Sequence, residues 1–363
     1  MKAQVLHNIA DIRYEDKEKP QLNKDWVLIK VKAAGVCGSD IPRIYKTGAH
    51  IHPLVPGHEF SGQVVEVCDN ADTDWIGRKV GVFPLIPCGE CECCRKQQYE
   101  MCSNYNYLGS RCDGGFAEYT AVPKWNLIEL PDNVTYEQAA MMEPMAVAVH
   151  ALRQFKITPE ARVCVIGMGT IGLLLTMFLK EMGIEHISVI CNKETQKANV
   201  TKLGISQSDI CVVSKSGQIT DSVGDNILNR SKYDYIYECV GRNETIETAI
   251  QFAAPAAHII LVGNPYSDMT FDKDVYWNIL RKQIKLSGTW NSSYYGNSVH
   301  NKNSTTHIDD WNYVLNRLTD NRIHPEWFIT HTYKLSELQE GMEIMRDKTE
   351  DYVKVMYVDN LKD

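Results

Sequence analysis

The chain has 363 residues, of which 44% are apolar and 23% charged, an ordinary balance for a globular protein. This length exceeds what one hydrophobic core usually serves, so we expect two domains. The formal net charge of −8 argues against nucleic-acid and membrane-surface partners, because both require basic patches. No apolar run approaches the roughly 18 residues of a membrane span. The N-terminus lacks the apolar core of a secretory signal, which makes the cytoplasm the expected location.

The pattern of apolar residues changes along the chain. Short strand-like runs such as Trp26–Val31 and Gly62–Val67 are typical of the first 150 residues. Strands and helices then alternate, which predicts a parallel sheet with helices on both faces. The predicted elements are strands at 163–166, 187–190, 235–237, 259–262 and 284–288, and a helix at 173–180. A helix at 335–346 and a strand at 353–356 should follow the polar stretch 291–306, which we expect to be an exposed excursion. We therefore predict a β-rich domain over 1–150 and 290–363, with an α/β domain over 151–289.

A glycine-rich loop follows the first strand of the α/β region. Gly167, Gly169 and Gly172, with Thr170 and Ile171 between the last two, form a G-x-G-x-x-G pattern between a strand and a helix. The first glycine permits a tight turn, the second lets a pyrophosphate approach the backbone, and the third allows close helix packing. The pattern indicates a dinucleotide-binding loop that uses the positive helix N-terminus. A glycine-rich turn of an unrelated α/β fold is the alternative.

The end of the second strand bears on which dinucleotide is bound. An acidic residue usually accepts hydrogen bonds from the ribose 2′-OH about 20 residues after the loop. Here Cys191, Asn192 and Lys193 occupy that region, with Lys197 one helical turn further on. Because no carboxylate would repel a 2′-phosphate there, we predict a lean towards NADP(H) over NAD(H). The alternative is that Asn192 alone contacts the 2′-OH and that the lysines are solvated.

Five of the twelve cysteines fall between residues 88 and 102. Four of them have the spacing of a tetrahedral zinc site with no open position, which makes it structural rather than catalytic: Cys88, Cys91, Cys94 and Cys102. An iron–sulfur cluster is the competing interpretation, but its usual motif continues with three residues and Cys-Pro. Cys93 is expected to be a bystander. A second and weaker pair, Cys37 and His58, would suit a catalytic zinc ion, although a buried cysteine and a satisfied histidine are more common.

Several short segments together carry a family resemblance. They occur in one order along the chain: 35–40 (GVCGSD), 57–59 (GHE), the four cysteines, 114–119 (GGFAEY), 143–144 (EP) and 167–172. The chain resembles the zinc-dependent medium-chain alcohol dehydrogenases, and within them the polyol dehydrogenases, through 38–50, 57–62 and 109–116. The resemblance is weaker after Trp290. It implies a GroES-like β-rich catalytic domain and a Rossmann doubly wound parallel sheet that binds the cofactor.

The resemblance also implies roles for individual residues. Cys37, His58 and Glu143 would be ligands of a catalytic zinc ion, and Glu59 an intermittent or water-bridged ligand. Asp40 would hold the free nitrogen of His58, although it is also a common turn residue. Ser39 would pass the substrate proton outward. Each subunit would then hold two zinc ions, one catalytic and one structural, together with NAD(P)(H).

The implied reaction moves a hydride between a polyol phosphate of the galactitol 1-phosphate kind and the nicotinamide, giving a ketose phosphate. A phosphorylated substrate needs cations, and the candidates are Arg43, Lys46, His50 and Arg111, each of which is equally compatible with simple surface solvation. Sorbitol, threonine or another vicinal alcohol is the alternative substrate within the same family. A non-enzymatic zinc protein that binds a partner through the cysteines is the alternative from another class. The resemblance further implies a homodimer or homotetramer.

Overall fold

The computed structural model describes residues 1–213, 232–265, 267–296 and 308–361. The chain divides into two compact units. The first unit combines Met1–Ala146 with Ser292–Asp363, and the second is Val147–Asn291. No helix among the described residues has both the length and the apolar character needed to cross a bilayer.

Strands and helices cover most of the described residues. In chain order the strands are β1 (Lys2–Asn8), β2 (Asp11–Asp16), β3 (Trp26–Val36), β4 (Glu59–Val67), β5 (Lys79–Val82), β6 (Leu85–Ile86), β7 (Asn106–Tyr107), β8 (Tyr119–Pro123), β9 (Leu127–Glu129), β10 (Arg162–Ile166), β11 (His186–Cys191), β12 (Ile210–Val212), β13 (Tyr233–Glu238), β14 (Ala253–Leu261), β15 (Lys285–Gly288), β16 (Ile329–Tyr333) and β17 (Lys354–Val358). The α-helices are α1 (Asp40–Pro42), α2 (Glu92–Arg95), α3 (Tyr136–Ala140), α4 (Met142–Arg153), α5 (Thr170–Glu181), α6 (Glu194–Lys202), α7 (Asn243–Phe252), α8 (Lys273–Lys282), α9 (Asp310–Thr319) and α10 (Leu338–Asp347). The π-helical turn is Arg43–Thr47, and the 3₁₀ turns are Asn70–Trp75, Tyr99–Met101, Lys124–Asn126, Gln207–Asp209, Pro325–Phe328 and Leu335–Glu337.

The first unit is built on a mostly antiparallel sheet. Its strand order is β16-β17-β3-β4-β5-β9, and β8 also pairs with β3. The long strand β3 is almost continuously apolar, and its side chains lie in the main core of this unit. Strand β17 pairs with the end of β3, opposite Gly35 and Val36, and so the C-terminal segment completes a sheet begun by the N-terminal segment.

The polar stretch 291–306, which precedes the C-terminal strands, is not an exposed loop at the positions that the structure describes. Ser292 and Tyr294 are buried, and the Tyr294 hydroxyl donates to the carbonyl of Leu127 at 2.7 Å. Trp311 donates from its ring nitrogen to the Ser292 hydroxyl at 3.0 Å. The expectation of exposure for 291–306 is therefore wrong at these two positions. Their side chains satisfy their polar groups inside an aromatic cluster, which a polar sequence pattern does not reveal. None of the other described residues of the stretch, up to Gly296, is exposed, and the part from 297 onward lies outside the described residues.

The second unit contains the predicted parallel sheet. Among the described residues its strand order is β12-β11-β10-β13-β14-β15, and every neighbouring pair is parallel. Numbered within this unit, the order is 3-2-1-4-5-6, the arrangement of doubly wound dinucleotide-binding folds. The order reverses between β10 and β13, and ligands of such sheets bind outside the carboxyl ends of the strands at this switch point.

The predicted elements are present, with bounds that differ by a few residues. The helix predicted at 173–180 runs over Thr170–Glu181, because Gly169 ends the loop and begins the helix. The strand predicted at 259–262 begins earlier, at Ala253. The helix predicted at 335–346 opens with a 3₁₀ turn and becomes α-helical from Leu338 to Asp347. Apolar periodicity locates the buried centre of an element better than its ends, which depend on caps and turns.

Candidate metal centres and nucleotide loop

The ends of two paired strands bring three possible metal ligands together. Cys37 directly follows β3, and His58 directly precedes β4, whose first residue is Glu59. In the antiparallel register Glu59 lies opposite Gly35, two residues before Cys37. One ligand atom from each of Cys37, His58 and Glu59 lies within 4.8 Å of the other two. We call this group the strand-end cluster.

Gly35 makes the position of Glu59 possible. A Cβ atom on residue 35 would lie 2.3 Å from Glu59 Oε2, so only glycine leaves space for the carboxylate. Glu59 is 1% exposed, and its Oε1 atom has no hydrogen-bond partner. An unpartnered buried carboxylate oxygen is costly. Its presence beside a thiol and an imidazole fits a cation at the strand-end cluster, and the donor set suits Zn²⁺.

Asp40 is fully buried behind His58 and is more than a turn residue. Its carboxylate lies 3.4 Å from His58 Nδ1, accepts a hydrogen bond from Cys37 N at 3.0 Å, and pairs with the Arg43 guanidinium. Burial alone would raise the pKa of Asp40, but the charges of His58 and Arg43 outweigh it and hold the pKa below its usual value. Burial likewise opposes the charged form of His58, yet Asp40 and Cys37 raise the His58 pKa well above its usual value. Asp40 is thus the charge partner of His58 Nδ1, although that buried nitrogen has no hydrogen-bond partner.

Ser39 lies on the more open side of the cluster. Its hydroxyl donates to Cys37 Sγ at 3.3 Å, and both residues are only half-buried. The residues behind them, Asp40 and His58, are buried. This arrangement leaves the thiol side as the partly exposed side of the cluster.

Glu143 lies close to the strand-end cluster without being one of its three mutually close members. Tyr107 connects them, because its hydroxyl donates to Glu143 Oε1 at 3.2 Å and its ring packs edge-on against the His58 ring at 5.8 Å. Burial raises the pKa of Glu143 to about 7, although the nearby His58 acts in the opposite direction. No sequence pattern indicated the role of Tyr107, since its partners are distant in the chain.

Lys354 is a further residue that sequence reasoning missed. It begins β17, is 2% exposed, and donates from Nζ to Glu59 Oε2 at 2.6 Å and to the Val36 carbonyl at 3.3 Å. Burial would lower its pKa, but Glu59 and Cys37 outweigh burial and raise it, so the amine stays charged. A lone lysine inside the apolar run at 353–356 was the available signal.

The second candidate centre is formed by the four predicted cysteines. Each offers a sulfur atom within 4.8 Å of the other three, and the closest Sγ–Sγ distances are 3.5 Å (Cys88–Cys102) and 3.9 Å (Cys88–Cys94 and Cys91–Cys102). With Zn–S bonds of about 2.3 Å, sulfur atoms of a tetrahedral site lie about 3.8 Å apart. Backbone N–H donors, that of Cys94 first, lower the pKa of Cys91 to about 5, whereas burial raises that of Cys94 to about 12. The spacing fits one Zn²⁺ ion, and Cys93 lies outside the group.

The four candidate phosphate ligands differ in their surroundings. Arg43 is paired with Asp40, whereas Lys46 and His50 are exposed. Arg111 is half-buried, and its guanidinium stacks on the Tyr105 ring at 4.4 Å, while its buried Nε atom has no hydrogen-bond partner. The Tyr105 ring in turn packs edge-on against Tyr107 at 6.1 Å. Of the four, Arg111 therefore combines a buried unpartnered donor with an aromatic link to the strand-end cluster.

In the second unit, the glycine loop has the geometry that its sequence predicts. Gly167 has a φ of +93°, and a Cβ atom there would lie 2.4 Å from a methyl group of Val240. A Cβ atom on Gly172 would lie 1.9 Å from the Gly167 carbonyl oxygen. In contrast, a Cβ atom on Gly169 would meet no atom within 4 Å. The loop is thus tight at both ends and open at Gly169, directly before Thr170 and Ile171 begin α5.

The region after β11 has no acidic side chain at its first two positions. Cys191 is buried at the end of the strand, and Asn192 is exposed, with its backbone N–H donating to Gln196 Oε1 at 3.1 Å. Lys193 is the N-cap residue of α6, which places Lys197 one turn along the same helix. The first two side chains after β11 are therefore an amide (Asn192) and an amine (Lys193).

Two family models match the chain. One, described as the alcohol dehydrogenase GroES-like domain, matches residues 23–132, and one described as zinc-binding dehydrogenase matches residues 170–303. The first covers β3, β4 and the cysteine lobe (residues 88–102), and the second begins at the glycine loop. The first model therefore falls within the first unit, and most of the second model falls on the second unit.

Individual relatives agree with these models. The chain is 32% identical to galactitol 1-phosphate 5-dehydrogenase of Escherichia coli over 91% of this chain and 92% of the relative. It is 30% identical to D-arabitol-phosphate dehydrogenase of Enterococcus avium over 95% and 93% of the two chains. The crystal structure of galactitol-1-phosphate dehydrogenase from Escherichia coli superposes with a TM-score of 0.83 at 29% identity, covering 99% of this chain and 100% of that one. The chain therefore belongs to the zinc-dependent medium-chain alcohol dehydrogenases, NAD(P)-dependent oxidoreductases that act on CH–OH groups, among relatives that include polyol dehydrogenases.

Proposed function

We propose that the protein oxidises a secondary hydroxyl group of a polyol phosphate, with a galactitol 1-phosphate-like substrate, to the corresponding ketose phosphate. The hydroxyl carbon gives a hydride to NAD(P)⁺ and the hydroxyl oxygen gives up a proton, so that one C=O bond replaces the C–H and O–H bonds. The observation that carries the proposal is the convergence of a thiol, an imidazole and a carboxylate at the ends of β3 and β4. Two of the relatives above act on phosphorylated polyols by name.

Cys37, His58 and Glu143 are the proposed ligands of a catalytic zinc ion, with Glu59 beside it as an intermittent ligand. When bound, zinc supplies Lewis-acid polarisation of the substrate oxygen. A carboxylate in place of a second thiolate makes the donor set harder, which suits a substrate with several oxygen atoms. Tyr107 supports the arrangement because it holds Glu143 by its hydroxyl and packs its ring against His58.

The remaining residues of the site orient groups and move the proton. Asp40, held by Arg43 and by the Cys37 N–H, lies 3.4 Å from His58 Nδ1 and is the proposed group that orients the ring so that Nε2 is left for the metal. Ser39 is the proposed exit for the substrate proton, because its hydroxyl lies on the half-exposed side of the cluster. Cys88, Cys91, Cys94 and Cys102 would hold a second zinc ion with four thiolates and no open position, so its proposed role is structural.

The two zinc sites are expected to respond differently to substitution. Cys37→Ser or His58→Ala should abolish turnover and remove one of two zinc ions per chain, while the melting temperature of the protein changes little. Cys91→Ser should remove the other zinc ion and lower stability, because structural zinc contributes directly to folding. Metal analysis, circular dichroism and activity on the same preparations separate these outcomes. Normal turnover in Cys37→Ser at reduced zinc content would defeat the assignment.

The proposed cofactor is a nicotinamide dinucleotide with a preference for NADP(H). The open backbone at Gly169 is where the pyrophosphate would approach, at the N-terminus of α5. The carboxyl end of β11 supports the preference, since Asn192 and Lys193 stand where a carboxylate would repel a 2′-phosphate.

Binding of the two cofactors tests this preference. Titration of cofactor fluorescence should give a lower dissociation constant for NADPH than for NADH. Lys193→Gln should weaken NADPH binding by about tenfold, as expected for one lost charge-assisted contact, and leave NADH binding nearly unchanged. Lys202→Gln, at the other end of α6, is the matched control. Tighter binding of NADH by the unaltered protein would refute the preference.

The substrate phosphate is assigned to Arg111 first among the four candidates. Its buried Nε has no hydrogen-bond partner and its guanidinium is preoriented on Tyr105, whereas Arg43 is committed to Asp40. A guanidinium binds phosphate by two parallel hydrogen bonds. Lys46 and His50 remain candidates for a longer-range contribution, because both are exposed in the segment that follows Arg43.

A substrate panel tests the phosphate assignment. Galactitol 1-phosphate should be oxidised with a higher kcat/KM than galactitol, sorbitol or threonine. Arg111→Met should raise KM for the phosphate ester by about tenfold or more and change KM for free polyols little. Arg346→Met removes another arginine stacked on a tyrosine, Tyr45, in the same unit and serves as the control.

The panel also decides between this proposal and its alternative. Sorbitol dehydrogenase of Bacillus subtilis is 30% identical over 73% of the chain. A preference for free sorbitol, threonine or another vicinal alcohol would replace the polyol phosphate as substrate and leave the zinc chemistry in place.

A second copy of the chain is the proposed partner, through the edge of the parallel sheet. Among the described residues β15 is the last strand of that sheet, and helix α8, which precedes it in the chain, has no buried residue. Tyr276 and Trp277 of α8 and Trp290, which follows β15 in the chain, are 57%, 52% and 60% exposed. An edge strand with exposed aromatic side chains favours association, and a two-fold axis lets the same surface pair with itself.

Substitution of Trp277 tests the proposed self-association. Light scattering should give the mass of a dimer or a multiple of it for the unaltered protein and a smaller assembly for Trp277→Glu. Trp327→Glu, which alters an exposed tryptophan of the first unit, should not change the mass. A monomeric unaltered protein would exclude this role of the edge.

A further inference from the structure

A buried lysine next to a metal site needs a physical reason. Lysine is almost never fully buried unless it is paired, because desolvation of an ammonium group is costly. Lys354 is held by two acceptors, Glu59 Oε2 at 2.6 Å and the Val36 carbonyl at 3.3 Å. The amine therefore reaches across the sheet, from β17 past the end of β3 to the start of β4.

The negative charges around the strand-end cluster provide a reason for a buried lysine at position 354. With zinc bound, a Cys37 thiolate and the carboxylates of Glu59 and Glu143 would together bring three negative charges to one divalent cation. Asp40 adds a further carboxylate, but Arg43 pairs with it. An excess of anionic groups reduces the capacity of the cation to polarise a substrate oxygen. The ammonium group of Lys354 offsets the charge of Glu59.

The geometry of Glu59 shows what this pairing does to its two oxygen atoms. Oε2 is drawn towards Lys354 and fills the gap left by the missing side chain of Gly35. Oε1 remains buried without a hydrogen-bond partner, on a residue that is grouped with Cys37 and His58. A carboxylate that lost its tie at Oε2 would be free to turn towards the cation.

We propose that Lys354 is a positioning residue that restrains Glu59 beside the metal and so keeps one coordination position available to the substrate. The proposal rests on the catalytic zinc site proposed above. Lys354 does not touch the reacting atoms. It acts through Glu59, and its own position is set by the pairing of β17 with β3, in which Val355 lies opposite Val36.

Release of zinc to a chelator is the decisive measurement, because two explanations predict opposite signs. Lys354→Met frees Glu59 to occupy the metal. Zinc should then leave the protein about tenfold more slowly, and kcat/KM should fall by about 10- to 100-fold, the range typical for residues that support metal ligands. If Lys354 only stabilises the fold, the same substitution should loosen the cluster and release zinc faster.

Three further variants serve as controls. Lys354→Arg keeps a cation on Glu59 and should restore the normal release rate. Glu59→Gln combined with Lys354→Met leaves neither charge buried, which protects folding, and should also restore it. Lys32→Met breaks another lysine pair of the same unit, with Asp359 at 2.7 Å, and should change neither zinc release nor activity. Unchanged or faster zinc release in folded Lys354→Met would overturn the proposal.

Failure of this proposal is distinguishable from failure of the zinc assignment. If Cys37→Ser keeps both zinc ions, the metal does not lie at the strand-end cluster and the proposed function fails first. If Cys37→Ser loses one zinc ion and Lys354→Met does not retain its zinc longer, only the role of Lys354 is refuted.

Discussion

The pairing of three strand ends, those of β3, β4 and β17, determines which side chains of the first unit meet at the strand-end cluster. Strand β4 places Glu59 opposite Gly35 of β3, and β17 places Val355 opposite Val36. Since side chains alternate between the faces of a strand, a shift of one residue in either pairing would send the carboxylate or the lysine to the wrong face. The apolar residues of β3 fix this register by burial in the core. The strand-end cluster is thus a consequence of how the hydrophobic core packs.

Burial determines the charge pairing of the cluster as well as the position of its side chains. Asp40, His58, Glu59, Glu143 and Lys354 are all buried, where unpaired charges are costly. Each of these side chains has a partner of opposite charge or a hydrogen bond. Glu59 nevertheless keeps one carboxylate oxygen without a hydrogen-bond partner, which fits a metal ion at this position. The cysteine lobe shows the contrasting design, in which four similar ligands surround one point and leave no position for a substrate.

Much of this arrangement can be predicted from the sequence, and the features that cannot be predicted have identifiable physical reasons. The glycine loop and the cysteine lobe are local, so spacing alone predicts both. Cys37 and His58 were weak signals until the family resemblance added Glu143, because the contacts between them depend on strand register. Tyr107 and Lys354 were missed since their partners are far away in the chain. Ser292 and Tyr294 stand in a stretch that the sequence indicates to be polar, yet both are buried, because their hydroxyl groups find partners that composition does not reveal.

One metal ion shared by side chains from separate parts of the first unit is the feature on which the proposed chemistry depends. A crystal structure of zinc-replete protein, with anomalous diffraction measured at the zinc absorption edge, tests it most directly. Two peaks per chain are expected, one inside the cysteine lobe and one bounded by Cys37, His58 and a carboxylate of Glu143 or Glu59. A single peak in the cysteine lobe, with Cys37 and His58 bound to no metal, would contradict this expectation.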